Sequence, residues 1–154
     1  MIRKISKNTK DTGEISKDFL ATIKPNKKHA TVVGLYGELG AGKTTFVQQV
    51  GKNLNIKRKL NSPTFLIMKR YLMKHKSFDN LFHIDAYRLK NEKELLHLGW
   101  EDIVSNPKNL VFIEWPERVI KAMPKKHPKI CISHLPASNI KAKEGHRKFE
   151  IKNS

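Results

Sequence analysis

Apolar residues recur along this chain with two different periods, and the switches between them mark out the elements. After Asp11 and Thr12, the residues Ile15, Phe19 and Ile23 recur every four positions, which predicts an amphipathic helix. Pro25 to His29 reads as a loop. The continuous run Thr31-Val32-Val33-Gly34-Leu35-Tyr36 predicts a strand buried on both faces. Phe46, Val47, Val50 and Leu54 then fall on one face of a helix. Ser62-Pro63-Thr64 interrupts the pattern. Phe65 to Tyr71 alternates as a strand does, Lys74 to Asn80 is a polar turn, and Leu81 to Tyr87 is a second strand, together an antiparallel hairpin. Glu92 to Leu98 reads as a short helix with Gly99 as its stop. Leu110-Val111-Phe112-Ile113 is a buried strand ending at Glu114, and Pro116 opens a turn or helix. Ile130 to Leu135 and Phe149 to Ile151 complete the set as late strands. Parallel-type strands alternating with helices predict an α/β three-layer sandwich: a mixed, mainly parallel sheet with helices on both faces and one antiparallel hairpin.

The candidate chemistry lies between the first certain strand and the helix that follows it. Gly37-Glu38-Leu39-Gly40-Ala41-Gly42-Lys43-Thr44 has the form G-x-x-x-x-G-K-[ST], a phosphate-binding loop. Strand, glycine loop and helix together turn several backbone N–H groups toward one point, beside the positive end of the helix dipole. Lys43 can reach β and γ phosphates, and the Thr44 hydroxyl can ligate Mg²⁺. The sequence therefore predicts a binder of a nucleoside triphosphate. Nothing after the loop resembles an Asn-Lys-x-Asp guanine reader, which favours ATP over GTP.

The length of 154 residues predicts one domain over 1–154, with its core between about 10 and 150. No stretch approaches the ~18 apolar residues of a membrane span, and the basic start Met1 to Lys7 leads into no apolar signal segment. Cys131 is the single cysteine, which fits a reducing compartment, and within Lys129 to Ser133 it reads as a small buried strand residue. A cytoplasmic protein with no membrane partner is expected. The 31 Lys plus Arg against 14 Asp plus Glu give a formal charge of +17. Much of the excess is lysine scattered along the chain, with denser groups at Lys27-Lys28, Lys57-Arg58-Lys59, Lys74 to Lys76 and Lys125-Lys126. Such an excess reads either as solvated surface or as an electrostatic surface for RNA or an acidic protein.

A phosphate loop works with a carboxylate at the tip of a neighbouring strand, and Glu114 has that place. A buried carboxylate without a cation is costly, so its position argues for a metal nearby. Asp85 also ends an apolar strand, where it can serve a salt bridge or the site. His83 shares its face, but the seven histidines show no metal-ligand spacing. Thr64 lies about twenty residues beyond Lys43, where nucleotide switches carry a hydroxyl that senses the γ-phosphate. Trp115 reads either as a core aromatic or as packing at the mouth of the site.

Five motifs in order make a resemblance: Gly37 to Phe46, Ser62-Pro63-Thr64-Phe65, His83-Ile84-Asp85-Ala86-Tyr87-Arg88, Leu98-Gly99-Trp100-Glu101-Asp102 and Ile113-Glu114-Trp115-Pro116-Glu117. The series resembles the bacterial TsaE family, formerly YjeE, over roughly residues 10 to 150. The resemblance implies a P-loop NTPase-like fold and an ATPase that works with a TsaB–TsaD pair. That pair places a threonylcarbamoyl group on adenosine 37 of ANN-decoding tRNAs. The resemblance further implies that TsaD carries the transfer and that ATP binding and hydrolysis on this subunit reset the complex between turnovers. The loop residues Glu38, Leu39, Gly40, Ala41, Gly42, Lys43, Thr44 and Thr45 match the nucleotide-binding set, with Glu38 where aspartate is commoner. Lys43 and Thr44 match phosphate and Mg²⁺ residues, Glu114 a Mg²⁺-associated carboxylate, and Asp85 a carboxylate needed for activity. Thr64 falls in a switch-like segment and Trp115 matches an aromatic near the nucleotide. Thr12 and Arg147 are further candidates, Thr12 on the adenine side. The +17 charge exceeds that expected of the family and leaves open a direct tRNA contact or coding bias.

Two other readings remain. A small phosphoryl-transfer kinase would need an arginine-bearing lid, and Lys121 to Ser154 offers Arg147 alone. A basic RNA-binding protein could hold a nucleotide only to stabilise its fold. As an ATPase the chain should turn over slowly, since Arg88 and Arg118 are the only arginines near the motifs.

Overall fold

A computed structural model describes residues 1–136 and 145–153; the lysine-bearing stretch after Pro136 lies mostly outside them. Seven strands form one sheet: β1 (Ile2–Ser6), β2 (Thr31–Tyr36), β3 (Met68–Leu72), β4 (Asn80–Asp85), β5 (Asn109–Glu114), β6 (Lys129–His134) and β7 (Arg147–Lys152). Their order is β1-β7-β6-β2-β5-β4-β3. The central strands β6, β2, β5 and β4 run parallel, while β7 on β6, β1 on β7 and β3 on β4 are antiparallel.

Strands β4 and β5 are buried at every position, and β2 at all but its last. Their near-continuous apolar composition follows from cover on both faces. Alternation along each strand divides two cores. On one face Val33, Leu35, Leu81, Leu110 and Phe112 pack with helices α1 (Thr9–Thr22) and α2 (Lys43–Asn53) through Ile15, Phe19, Phe46, Val47 and Val50. On the other, Val32, Phe82, Ile84, Val111 and Ile113 meet Leu95, Trp100, Ile103 and Val119. Those last four come from α3 (Glu92–His97), α4 (Trp100–Ser105) and a 3-10 turn over Pro116–Val119. Among the described residues no helix is long and apolar enough to cross a membrane.

The same alternation decides where the chemistry falls. Counting by twos, Glu114 follows Leu110 and Phe112, and His83 and Asp85 follow Leu81, so all three face α2. The α2 face is organised around Phe46, which is fully buried with ring centroids 6.1 Å from Phe19, 6.3 Å from Phe112 and 5.8 Å from Phe149. Phe46→Ala is expected to cost about 3–5 kcal/mol in urea unfolding, through lost burial and an unfilled cavity. A cost under about 1 kcal/mol would show that the core does not depend on this ring.

Several expectations change in detail. The sheet is mixed, as expected, but its six pairings divide evenly between parallel and antiparallel, and antiparallel pairing occurs at both flanks. Strand β1 was not foreseen because most of its side chains are exposed and leave no burial alternation. The expected strand from Phe65 begins only at Met68. Phe65 and Leu66 stand exposed in a turn closed by Leu66 N–H donating to Pro63 O, and Ile67 has φ 64°. Gly99 (φ 82°) ends α3 as expected and also starts α4. Cys131 is exposed rather than buried: Ile130 and Ile132 take the inward positions of β6.

Candidate functional site

Strand β2 ends at the sheet's carboxyl edge, and the glycine loop carries the chain from there into α2. Gly37 has φ 142°, and a Cβ there would lie 2.2 Å from the Ile132 carbonyl oxygen, so both angle and space require glycine. Gly42 (φ 104°) is the N-cap of α2 in a left-handed conformation that ordinary side chains disfavour. The helix thus opens directly on Lys43 and Thr44, with its N-terminal N–H groups and dipole at the loop.

Lys43 is 4% exposed. Its Nζ donates to Gly37 O at 2.6 Å and Glu38 O at 2.8 Å, and lies 4.0 Å from the centre of the Trp115 ring. Burial pulls its pKa below the ordinary lysine value, opposed by the charges of Glu114, Glu117 and Asp85. Thr44 Oγ1 donates to Glu114 Oε1 at 2.7 Å, joining the helix start to the tip of β5. His83 Nε2 meets the same oxygen at 2.7 Å. In the sheet register Asp85 stands opposite Glu114. Asp85 Oδ2 accepts from Thr64 Oγ1 at 2.9 Å and Oδ1 from the Tyr87 N–H at 3.0 Å.

Lys43, Thr44, Thr64, Asp85, Tyr87, Glu114 and Trp115 border one cleft of about 340 Å³, and His83 lies buried behind it. Of the residues singled out from sequence, Leu39, Gly40, Gly42, Lys43, Thr44, Thr45, Thr64, Asp85, Glu114 and Trp115 line it. Tyr87 and Arg88 line it as well and were not proposed as ligands. Trp115 is partly buried with φ 58° and packs on Tyr87 (centroids 5.0 Å), so it belongs to the mouth of the cleft. Arg88 sits over the exposed Phe65 ring at 4.9 Å, and Arg118 over Tyr87 at 5.6 Å.

The structure separates the other candidates from this cleft. Thr12, Ala41 and Arg147 line a second hollow of about 230 Å³ across the loop, which shares Gly40, Gly42 and Thr45 with the first. Thr12 Oγ1 is buried against Ser6 Oγ at 2.8 Å. Arg147 Nη2 approaches Gly40 O at 3.4 Å. The exposed Glu38 side chain lines neither hollow; its carbonyl instead holds Lys43. Hollows of 510, 590 and 690 Å³ lie elsewhere, but none includes any of these groups.

The donor set fits a Mg²⁺-nucleotide. No group of three or more His, Cys, Asp or Glu residues gathers into a metal cage among the described residues. Mg²⁺ does not need one: it keeps waters and is usually bound by one or two carboxylates together with substrate phosphates. Thr44 and Glu114 offer a hydroxyl and a carboxylate side by side, and Lys43 with the loop amides offers positive charge for phosphate oxygens.

Comparison with known proteins places the chain in a family. The family described as threonylcarbamoyl adenosine biosynthesis protein TsaE matches residues 6–144. The tRNA threonylcarbamoyladenosine biosynthesis protein TsaE of Rickettsia bellii is 36% identical over 125 residues, covering 78% of each chain. The protein of that name from Rickettsia typhi is 40% identical over 113 residues, covering 70% of this chain and 69% of its own. That from Bacillus subtilis is 35% identical over 125 residues, covering 81% and 73%. The crystal structure of Bacillus subtilis YdiB superposes with a TM-score of 0.70 at 25% identity, covering 96% of this chain and 82% of that one.

Proposed function

The chain belongs to the TsaE family, and from that premise we propose that it binds ATP with Mg²⁺ and hydrolyses it slowly. In this reading residues 1–154 act as one ATPase domain in the cytoplasm. Its work supports threonylcarbamoylation of adenosine 37 in ANN-decoding tRNAs, carried out with TsaB and TsaD homologues. The observation that carries the reading is the 2.7 Å hydrogen bond from Thr44 Oγ1 to Glu114 Oε1, which couples the phosphate loop to the strand-tip carboxylate.

In the proposed reaction water attacks the γ-phosphorus, the bond to the β–γ bridging oxygen breaks, and ADP and phosphate leave. When bound, Mg²⁺ offsets the charge of the phosphate oxygens. Lys43 leaves the loop carbonyls to hold the β and γ oxygens, and the loop N–H groups and helix dipole take the rest of the charge. Thr44 and Glu114 would hold the metal. Asp85, fixed by the Tyr87 N–H, positions Thr64 toward the cleft. Trp115 lies against the ammonium of Lys43 and keeps water from that side. Arg88 and Arg118 rest on aromatic rings beside the cleft, so a partner that redirects Arg88 would complete the charge set.

The kinase reading gains nothing from the structure. Arg147, the arginine it would require, lies across the loop from the cleft. For tRNA, the surface suited to direct contact is the pair of adjoining hollows beside β3. Lys17, Lys57, Arg58, Arg70, Lys74 and Lys76 line them, with no acidic residue among the linings.

Reconstitution tests the function. Purified TsaB and TsaD homologues, threonylcarbamoyl donor and tRNA are followed through many turnovers with and without this chain. Product is expected to accumulate beyond one equivalent of enzyme only when the chain and ATP are both present. Equal accumulation without the chain would refute the assignment.

A further inference from the structure

We propose that His83 is a positioning residue for Glu114: its imidazole occupies one carboxylate oxygen so that the other is presented to the nucleotide's Mg²⁺. The inference rests on the ATP–Mg²⁺ reading above and extends it to a residue with no place in that reaction scheme. His83 is fully buried on β4, on the face that α2 covers. Its backbone is opposite Phe112, so the ring reaches diagonally to Glu114, one alternation further along β5. Glu114 Oε1 therefore receives two donors, His83 Nε2 and Thr44 Oγ1, each at 2.7 Å. Those donors come from different elements, the sheet and the helix start, and together they prevent the carboxylate from rotating. Oε2 has no hydrogen bond among the described residues and is not among the buried atoms lacking a partner, so it is the oxygen that faces the cleft.

The other side of the imidazole carries the second argument. Among the described residues His83 Nδ1 is buried with no hydrogen-bond partner. Glu114 accepts at Nε2, so a ring proton belongs there, and Nδ1 is the ring atom left unpaired. An unpaired buried polar atom costs stability, and a leucine would fill this position without that cost. What histidine adds is the donor at Nε2. Hydrogen-bond partners of metal ligands act in this way, and their loss typically lowers metal affinity or activity about 10–100-fold.

The test compares binding of a non-hydrolysable ATP analogue by calorimetry with and without Mg²⁺, alongside thermal unfolding of the nucleotide-free protein. In the wild type Mg²⁺ should strengthen binding. In His83→Leu that enhancement should shrink about 10-fold or more, with metal-free affinity unchanged. His83→Gln carries an amide nitrogen at nearly the reach of Nε2 and should restore the enhancement; His83→Asn is one bond shorter and should not. If the leucine variant does not fold, the glutamine–asparagine difference decides alone. Full enhancement in His83→Leu, or equal behaviour of the glutamine and asparagine variants, would overturn the proposal. So would an equal fall in metal-free affinity, because it would mark a structural role. A wild type whose binding ignores Mg²⁺ would instead sink the ATP–Mg²⁺ reading itself.

Discussion

Replacing Lys43 with methionine is expected to lower ATP turnover by about 10³-fold without unfolding the protein. Among the described residues Lys43 is the side-chain cation that bonds the Gly37 and Glu38 carbonyls, while Arg88 and Arg118 lie on aromatic rings and Arg147 meets Gly40 O from the other side of the loop. Its loss removes charge where charge accumulates on the transferred phosphoryl group, which helix amides alone compensate poorly. Methionine keeps an unbranched side chain of similar length beside Trp115. The stability effect depends on pH. Burial holds the Lys43 pKa below its ordinary 10.5, despite the pull of Glu114, Glu117 and Asp85. The folded state therefore binds this proton less tightly than the unfolded state does. At pH values below the depressed pKa the charged lysine costs stability in full, and the cost fades as pH rises toward 10.5. Wild type should therefore gain stability relative to the variant as pH rises through the depressed Lys43 pKa toward 10.5, on top of a pH-independent difference from the bonds to Gly37 O and Glu38 O that methionine gives up. Phosphate release and thermal unfolding across pH measure both effects. Turnover within about tenfold of wild type would remove Lys43 from the chemistry.

The loop was legible because every determinant is local: apolar strand, glycines at fixed offsets, Lys43 and Thr44 at a helix start. Glu114 was legible for a similar reason, since four apolar residues and a carboxylate already describe a buried strand with a charged tip. The bond between His83 and Glu114 was not, because it depends on the register between β4 and β5, which only the folded sheet supplies. The turn at Phe65 and Leu66 misled in another way. Both are apolar and continue a strand-like alternation, yet Pro63 and the positive φ of Ile67 fold them outward, leaving Phe65 for Arg88 to cover. Thr12 matched a nucleotide-side residue only loosely, and its hydroxyl bonds Ser6 and Asn8 beside the second hollow, across the loop from the main cleft. Cys131 shows the limit of composition: a small residue in a strand has two faces to choose from, and Ile130 and Ile132 claimed the inner one.

Glu114→Gln should produce the second large loss, about 10²-fold or more in turnover, with a different signature from Lys43→Met. Glutamine can keep an oxygen at Oε1 to accept from Thr44 and His83, and it has nearly the same volume, so the fold and the helix–strand coupling persist. What changes is the atom facing the cleft. An amide NH₂ replaces Oε2, and a donor cannot ligate a cation. Removing the negative charge also relieves repulsion toward a triphosphate, so metal-free ATP should bind at least as tightly as in wild type, while the gain from Mg²⁺ falls. Lys43→Met, by contrast, weakens binding with and without Mg²⁺, because its ammonium acts on phosphate directly. Titrating each variant with ATP in both conditions therefore separates the two roles. If Glu114→Gln lost metal-free and metal-dependent affinity in the same proportion, the carboxylate would be holding the loop in shape rather than meeting the metal.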